Sequence, residues 1–279
     1  MDEKEAGLFW DGNADAWTTL ARAGYDVYRD YLNTPAFFAM LPDVAGLRGL
    51  DIGCGEGHNT RLLAGRGARL VAIDISGTFL RHAAQRGKKG IVYCRAGAHN
   101  LPFPEASFDF ATAFMSAMDV PDPDRLFHET RRVLKPGGFF QFSICHPCFG
   151  TPHRKNLRDA HGLAYAVEVG GYFRYLNGEI SEWIFGAAPS SATFGLTLFR
   201  VPRFNRTLSQ WLNSLVEAGF ALERVEEPSA TDEVVQACPD LQDTQVVPYF
   251  LHVRVRTLIH AAKPLWDRAA PLASPGAIR

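Results

Sequence analysis

Acidic residues and glycines between positions 51 and 74 are the group in this sequence best suited to chemistry. Asp51 leads a turn that carries Gly53, Gly55 and Gly57, and Asp74 ends the apolar run that follows. Glycines let a backbone turn sharply and approach a ligand without an intervening Cβ atom. A carboxylate at the end of a second strand can accept hydrogen bonds from both hydroxyls of a ribose. The stretch therefore predicts a nucleoside site.

The acid that leads the turn distinguishes two classes of ligand. A dinucleotide fingerprint reads G-x-G-x-x-G, and the helix that follows it binds a pyrophosphate. Here the turn reads Asp51-x-Gly53-x-Gly55-x-Gly57. A carboxylate repels phosphate but attracts an ammonium group, directly or through water. A nucleoside that carries an amino acid therefore fits this turn better than a dinucleotide does.

Apolar runs around the turn predict the elements that hold it. Residues 49–52 and 69–73 are expected to form strands, and a helix with Leu62 and Leu63 on its inner face lies between them. Later helices are predicted to start at the N-caps Ser76 and Asp122 and at a capping box of Thr207 with Gln210. Further strands are predicted at 91–95, 110–114, 139–144, 222–226 and 249–255. This alternation is typical of an α/β fold with a doubly wound, mostly parallel sheet.

Three motifs, LDIGCGEG, LPFPEASFD and LKPGGFFQFS, together with Asp74, resemble class I S-adenosylmethionine-dependent methyltransferases of the ubiquinone-biosynthesis-like branch, methyltransferase type 11. The resemblance covers residues 45–145 by motif and 205–255 by architecture. It implies a seven-stranded Rossmann-like sheet with an antiparallel last pair, S-adenosyl-L-methionine as cofactor and S-adenosyl-L-homocysteine as product. The residues it implies at the cofactor are Tyr28, Asp51, Gly53, Cys54, Gly55, Asp74, Ile75, Ala98, His99 and Phe114.

Gly97 departs from the family pattern. Many members have at this position an acid that contacts the adenine amino group. The departure leaves adenine recognition to backbone groups near Ala98 and His99, or to the His99 side chain.

Two segments outside the sheet are candidates for binding the methyl acceptor. Residues 8–41 carry aromatic side chains at helical intervals and predict two or three helices, which either pack over the sheet or form a lid. After the fifth strand, runs at 172–175 and 182–185 joined by Asn177-Gly178 predict a hairpin, which a run at 195–201 could join as a small antiparallel β cap. The expected divisions are 1–45 (lid), 46–145 (cofactor core), 146–206 (cap), 207–262 (end of the core) and 263–279 (tail).

Candidate catalytic and substrate residues follow from these positions. His146, just past the fifth strand, is either the general base or a residue that fixes the turn before Pro147. The candidate substrate contacts are Tyr25, Tyr172, Tyr175, Trp183 and Arg206. The aromatic residues of the cap either line an acceptor pocket or form the core of the cap itself.

The composition of the chain limits the kinds of partner that we expect it to bind. A net charge of −1 provides no basic field for nucleic acid or an anionic membrane. The five cysteines are scattered and form no paired ligand clusters, so we expect no metal and a reduced, cytoplasmic setting. The acidic N-terminus and the lack of an apolar run of about 18 residues predict a soluble protein.

The function predicted is methyl transfer to a small aromatic or heterocyclic metabolite, by a monomer or a homodimer. An RNA or protein methyltransferase, and a protein that binds S-adenosylmethionine without turnover, are the alternatives. The sequence leaves the accepting atom open among O, N, S and C.

Overall fold

The computed structural model of the chain describes residues 1–87 and 89–258. The helices are α1 (Glu3–Arg22), α2 (Thr34–Met40), α3 (His58–Gly65), α4 (Gly77–Gln85), α5 (Pro123–Val133), α6 (Ser190–Thr193), α7 (Leu208–Glu217) and α8 (Asp232–Ala237). The strands are β1 (Arg48–Ile52), β2 (Arg69–Asp74), β3 (Ile91–Arg95), β4 (Phe108–Phe114), β5 (Leu134–Cys145), β6 (His153–Arg158), β7 (Ala164–Gly170), β8 (Asn177–Trp183), β9 (Phe199–Phe204), β10 (Phe220–Glu226) and β11 (Phe250–Thr257).

Seven of these strands form the central sheet in the order β10-β11-β5-β4-β1-β2-β3. The five adjacent strands β5, β4, β1, β2 and β3 run parallel to one another, whereas β11 is antiparallel to both β5 and β10. The predicted doubly wound sheet with an antiparallel last pair is therefore confirmed. Because β1, β2, β3, β4 and β5 are parallel, their carboxyl ends meet at one edge, where such folds bind ligands.

Local capping explains where three helices begin. The Ser76 side chain accepts a hydrogen bond from the Phe79 N–H at the start of α4. Asp122 does the same for α5, with proline at the first helical position. Thr207 and Gln210 form the predicted capping box of α7. These starts are confirmed because each depends only on residues three positions apart.

Aromatic side chains fill the space on both faces of the sheet. On one face Phe127 and Trp211, from α5 and α7, pack against Phe142 of β5, with ring centroids 5.7 and 6.2 Å from it. On the other face Phe37 of α2 lies against Phe114 at the end of β4, with centroids 3.9 Å apart. Close packing of this kind holds the strand ends rigidly, as a preorganised site requires.

The N-terminal segment forms α1, a π-helical turn at Arg29–Asn33 and α2, as the prediction of two or three helices required. Helix α1 lies across the cleft and is anchored at several points. The Asp11 carboxylate accepts hydrogen bonds from the Ser76 hydroxyl at 2.7 Å and the Thr78 N–H at 2.9 Å. At the C-terminal end of α1, the Arg22 Nε donates to Glu56 Oε2 at 2.9 Å. The helix therefore covers the carboxyl ends of the strands.

The β cap exists but differs from its prediction. It consists of two antiparallel pairs, β6 with β7 and β8 with β9. The hairpin predicted at Asn177-Gly178 is wrong, because these residues begin β8, while 172–175 lies in the preceding loop. A Cβ atom at Gly178 would lie 2.7 Å from the Met1 Cβ, so this glycine allows a close approach of the N-terminus. The run at 195–201 contributes to β9, which does pair with β8.

The predicted domain boundaries remain predictions, and the predicted tail at 263–279 lies outside the described residues. Across 1–87 and 89–258, no helix combines the length and the apolar character that crossing a membrane requires. Within the same ranges, no cluster of three or more His, Cys, Asp and Glu residues is placed to hold a metal ion.

Candidate active site

A cavity of about 640 Å³ opens at the carboxyl ends of the parallel strands. Its walls come from the turns after β1, β2, β3 and β4, from α1, and from the loop that follows β8. Sites for small molecules typically measure roughly 300–1,000 Å³. The cavity is therefore large enough for a small ligand, and it lies where the fold predicts one.

The glycine turn after β1 forms the floor of the cavity. Gly53 and Gly55 have positive φ angles of 70° and 54°, which side chains rarely adopt. A Cβ atom at Gly53 would lie 2.4 Å from the Ser116 Cβ, whereas one at Gly55 would meet no atom within 4 Å. Gly53 thus permits the close packing of two turns, and Gly55 exposes backbone toward open space.

Asp74 lies at the end of β2 with 7% of its surface exposed. Its Oδ2 accepts a hydrogen bond from the Gly55 N–H and its Oδ1 accepts one from the Ser76 N–H, both at 2.8 Å. Burial raises the pKa of Asp74 to about 6, although these hydrogen bonds oppose the increase. A carboxylate has about four acceptor positions, so each oxygen can still accept a hydrogen bond from a ribose hydroxyl.

Asp51 lies at the start of the glycine turn, and only 1% of its surface is exposed. Its two oxygens accept hydrogen bonds from the Thr60 hydroxyl at 2.5 Å and the Thr112 hydroxyl at 2.9 Å. Burial raises the pKa of Asp51 to about 6, and the nearby charge of Asp74 contributes in the same direction. Two buried carboxylates supported by neutral hydrogen bonds favour a ligand that brings positive charge. Asp51 and Asp74 together therefore fit a nucleoside that carries an amino acid group.

Most of the residues predicted at the cofactor line this cavity. They are Tyr28, Asp51, Gly53, Cys54, Gly55, Asp74, Ile75, Ala98 and Phe114. His99 lies behind the wall, where its Nε2 accepts a hydrogen bond from the Asp122 N–H at 3.2 Å. The structure therefore gives the His99 side chain a role in the start of α5 and does not bring it to the cavity.

Only some of the predicted substrate residues line the cavity. Tyr25 and Trp183 line the cavity. The Tyr172 hydroxyl instead accepts a hydrogen bond from the Leu208 N–H at 2.8 Å, and Tyr175 is 70% exposed. Arg206 contacts the Pro121 carbonyl at 3.4 Å, behind the cavity wall. Residues 172–175 form a loop and not a strand, which explains why they do not face inward.

His146 is buried away from the cavity. Its Nε2 lies 2.6 Å from Glu227 Oε1, and its Nδ1 accepts a hydrogen bond from the Cys148 N–H at 3.2 Å. Both ring nitrogens are thus committed to structural contacts. This placement favours the alternative role, in which the histidine fixes the turn after β5, over the predicted role of general base.

Sequence reasoning missed Asp119, a carboxylate on the cavity wall in the turn after β4. Burial raises the pKa of Asp119 to about 8, against the opposing effect of the Arg203 charge. Within the described ranges, no hydrogen bond to its carboxylate supports the ionised form. The signal that could have identified Asp119 is its position just past the end of a parallel strand, since such positions face the ligand edge.

Aromatic rings enclose the part of the cavity nearest the cap. Trp17 of α1 packs against Trp183 and Phe185, with centroids 5.4 and 4.9 Å from its ring. Tyr28 and Tyr249 form a second pair, with centroids 4.8 Å apart. We call these five residues the aromatic wall, and all of them line the cavity. A flat apolar ring would fit between such surfaces.

Comparison with known proteins adds independent observations. The model of a family described as "Methyltransferase domain" matches residues 50–142. A demethylmenaquinone methyltransferase of Clavibacter sepedonicus is 32% identical over 219 residues, which cover 74% of this chain and 77% of that protein. A fatty-acid O-methyltransferase of Mycolicibacterium smegmatis is 32% identical over 126 residues, 44% of this chain and 46% of that protein. A crystal structure of an S-adenosylmethionine-dependent methyltransferase from Mesorhizobium loti aligns with a TM-score of 0.65 and 33% identity, covering 80% of this chain and 96% of that one.

Proposed function

Because the chain belongs to the class I S-adenosylmethionine-dependent methyltransferases, we propose that it methylates a small hydroxylated aromatic ring held between the aromatic wall and Asp119. Family membership confirms the predicted enzyme class. The acceptor is the part that we propose. The observation that carries it is the carboxylate of Asp119, unsupported by hydrogen bonds, in the same cavity that the residues of the aromatic wall line.

The glycine turn and the two buried acids hold the donor in this proposal. Asp74 accepts hydrogen bonds from the ribose hydroxyls, and Asp51 attracts the ammonium of the amino acid group. S-adenosylmethionine, when bound, supplies a methyl group on a positively charged sulfur. Helix α1 excludes water from the cleft, which strengthens the electrostatic interactions inside it.

Asp119 acts as the general base. A phenolic hydroxyl becomes a stronger nucleophile, at oxygen or at a ring carbon, as it loses its proton. A pKa of about 8 gives the Asp119 carboxylate a greater affinity for that proton than an exposed aspartate has. The acceptor's electron pair forms the bond to the methyl carbon, the pair of the broken carbon–sulfur bond stays on sulfur, and the proton moves to Asp119.

Further observations support an aromatic acceptor over a nucleic acid. The net charge is −1, so the chain has no overall positive field to attract nucleic acid. The Clavibacter sepedonicus relative is named for demethylmenaquinone, which contains a quinone ring. The aromatic wall provides flat surfaces on which a ring of this kind can pack.

Turnover with a panel of acceptors tests the proposal. Release of S-adenosylhomocysteine would be measured with phenols, naphthols and reduced naphthoquinones, and compared with aliphatic alcohols, amines and thiols. We expect turnover with the hydroxylated rings and a kcat/KM that rises with pH up to about 8, because Asp119 must be ionised. The variant Asp119→Asn should lose about 100-fold or more in kcat and lack that rise.

The exposed Asp124 in the first turn of α5 provides a matched control. Asp124→Asn removes the same charge without touching the cavity and should keep the activity of the unmodified protein. Turnover restricted to aliphatic amines or thiols would contradict the proposed acceptor. Equal rates for Asp119→Asn and the unmodified protein would contradict the proposed base.

A further inference from the structure

We infer that Glu3, in the first turn of α1, is the residue that recognises the exocyclic amino group of the donor's adenine. The inference rests on the proposed function, because it assigns one end of the same cavity. Glu3 lines that cavity although it is distant in sequence from every strand of the sheet.

The part of the cavity next to Asp74 is lined by small and apolar groups, which suit a flat base. Ile75 follows Asp74 directly, and Ala96 and Ala98 line the same region from the turn after β3. Helix α1 closes the opposite side so tightly that a Cβ atom at Gly7 would lie 2.8 Å from the Ile75 side chain. With the ribose on Asp74, its base extends into this slot of small and apolar groups.

The Glu3 carboxylate supplies a charged acceptor on the wall of this slot. Its Oε1 accepts hydrogen bonds from the Ala98 N–H at 2.5 Å and the His99 N–H at 3.0 Å. Its Oε2 lies 3.7 Å from His99 Nδ1, which is beyond hydrogen-bond distance. Oε1 is therefore fixed by two donors, while Oε2 can accept a hydrogen bond from a ligand.

The absence of a side chain at Gly97 leaves room for the Glu3 carboxylate. A Cβ atom at Gly97 would lie 2.4 Å from Glu3 Oε2 and 2.6 Å from its Cδ. Any side chain at position 97 would therefore displace the carboxylate. The helix thus delivers, from a position far away in sequence, an acid to a place where the adjacent loop has no side chain of its own.

The chemistry of a carboxylate determines which bases it accepts. The 6-amino group of adenine donates hydrogen bonds, so it pairs with Oε2. A 6-oxo base presents an acceptor at the same place, and two acceptors repel each other. Glu3 therefore selects an adenine over its deaminated form.

Calorimetry with two forms of the product nucleoside tests this selection. S-adenosylhomocysteine and S-inosylhomocysteine would be titrated into the unmodified protein, Glu3→Gln and the control Glu5→Gln. We expect Glu3→Gln to reduce the preference for the adenosyl compound roughly tenfold to hundredfold, since a hydrogen bond to a charged group is lost and the amide can donate to the 6-oxo group. Glu5 lies in the same turn, is exposed, and keeps its capping role as glutamine, so Glu5→Gln should match the unmodified protein.

Moving the acid to the loop provides a second measurement. Glu3→Ala should lose the preference, and the double variant Glu3→Ala with Gly97→Asp should recover it, because the shorter residue 3 frees the space beside position 97. Gly97→Asp alone should weaken the binding of S-adenosylhomocysteine through the clash with Glu3.

Three results would overturn the inference, and they are distinguishable. An unchanged preference in Glu3→Gln, with S-adenosylhomocysteine still bound, would show that Glu3 does not contact the base. Tighter binding of S-adenosylhomocysteine by Glu3→Gln would show that the carboxylate competes with the ligand for the Ala98 N–H. No binding of either compound by the unmodified protein would overturn the proposed function itself and this inference with it.

Discussion

Replacing Asp119 with asparagine should stabilise the fold while it removes activity. Burial raises the pKa of this carboxyl from 3.8 to about 8, so the folded chain holds its proton more tightly than the unfolded chain does. Stability is then lost as the pH rises from about 4 through about 8, because unfolding lets the carboxyl ionise in water. An asparagine does not titrate, so the variant avoids this loss.

The size of the effect follows from the pKa difference. Each unit corresponds to about 1.4 kcal/mol, and the full difference would give about 5–6 kcal/mol above pH 8. The Asp119 residue is only partly buried, so solvent screening should make the net gain smaller. We expect about 1–3 kcal/mol, where each kcal/mol raises the Tm of a protein of this size by about 2–4 °C.

Thermal unfolding of the unmodified protein, Asp119→Asn and Asp124→Asn, at pH 6 and at pH 9, measures this effect. The Tm of Asp119→Asn should exceed that of the unmodified protein by more at pH 9 than at pH 6. Asp124→Asn should show no such pH-dependent difference, because its carboxylate is exposed. A Tm gain that is equal at both pH values, or a less stable Asp119→Asn at pH 9, would refute the reasoning.

Two further predictions concern the cofactor end of the site and the attachment of α1. Affinity for S-adenosylhomocysteine should be constant above pH 7 and fall below pH 6 by up to about tenfold per pH unit for each acid. The reason is that Asp51 and Asp74 have pKa values of about 6 and bind the ligand best when ionised. Calorimetry across this pH range measures the affinity, and an affinity independent of pH would contradict the prediction. Asn13→Ala should lower the free energy of unfolding by about 1–3 kcal/mol. The Asn13 side chain accepts a hydrogen bond from the Arg200 N–H at 2.9 Å and donates one to the Arg200 carbonyl at 3.0 Å. Denaturant titration measures the free energy of unfolding, and an unchanged value would show that these two hydrogen bonds contribute nothing.

Local sequence signals predicted the sheet and the conformation of the glycine turn well. Capping at Ser76, Asp122 and Thr207 depends on residues three positions apart, so the sequence shows both partners together. The turn from Asp51 to Asp74 is one continuous supersecondary unit, and its glycines have the positive φ angles that their positions suggested. Such features are readable because distant parts of the chain do not decide them.

Contacts between distant segments explain what the sequence could not predict. His146 is held by Glu227, 81 residues further along the chain, and Glu3 reaches Ala98 across 95 residues. The pair Asn177-Gly178 is typical of a hairpin turn, but the role of Gly178 depends on Met1, which packs against it. In each case the sequence identified a residue of interest, while its partner came from tertiary packing.

The measurement that tests the central account most directly is a calorimetric titration of S-adenosylhomocysteine into the unmodified protein and into Asp74→Ala at pH 7.5. The account predicts binding by the unmodified protein and an affinity at least about fivefold weaker for the variant, because hydrogen bonds from the ribose to a charged carboxylate are lost. Equal affinities would show that the ribose lies away from Asp74. No binding by the unmodified protein would contradict the assignment of this cavity as the donor site.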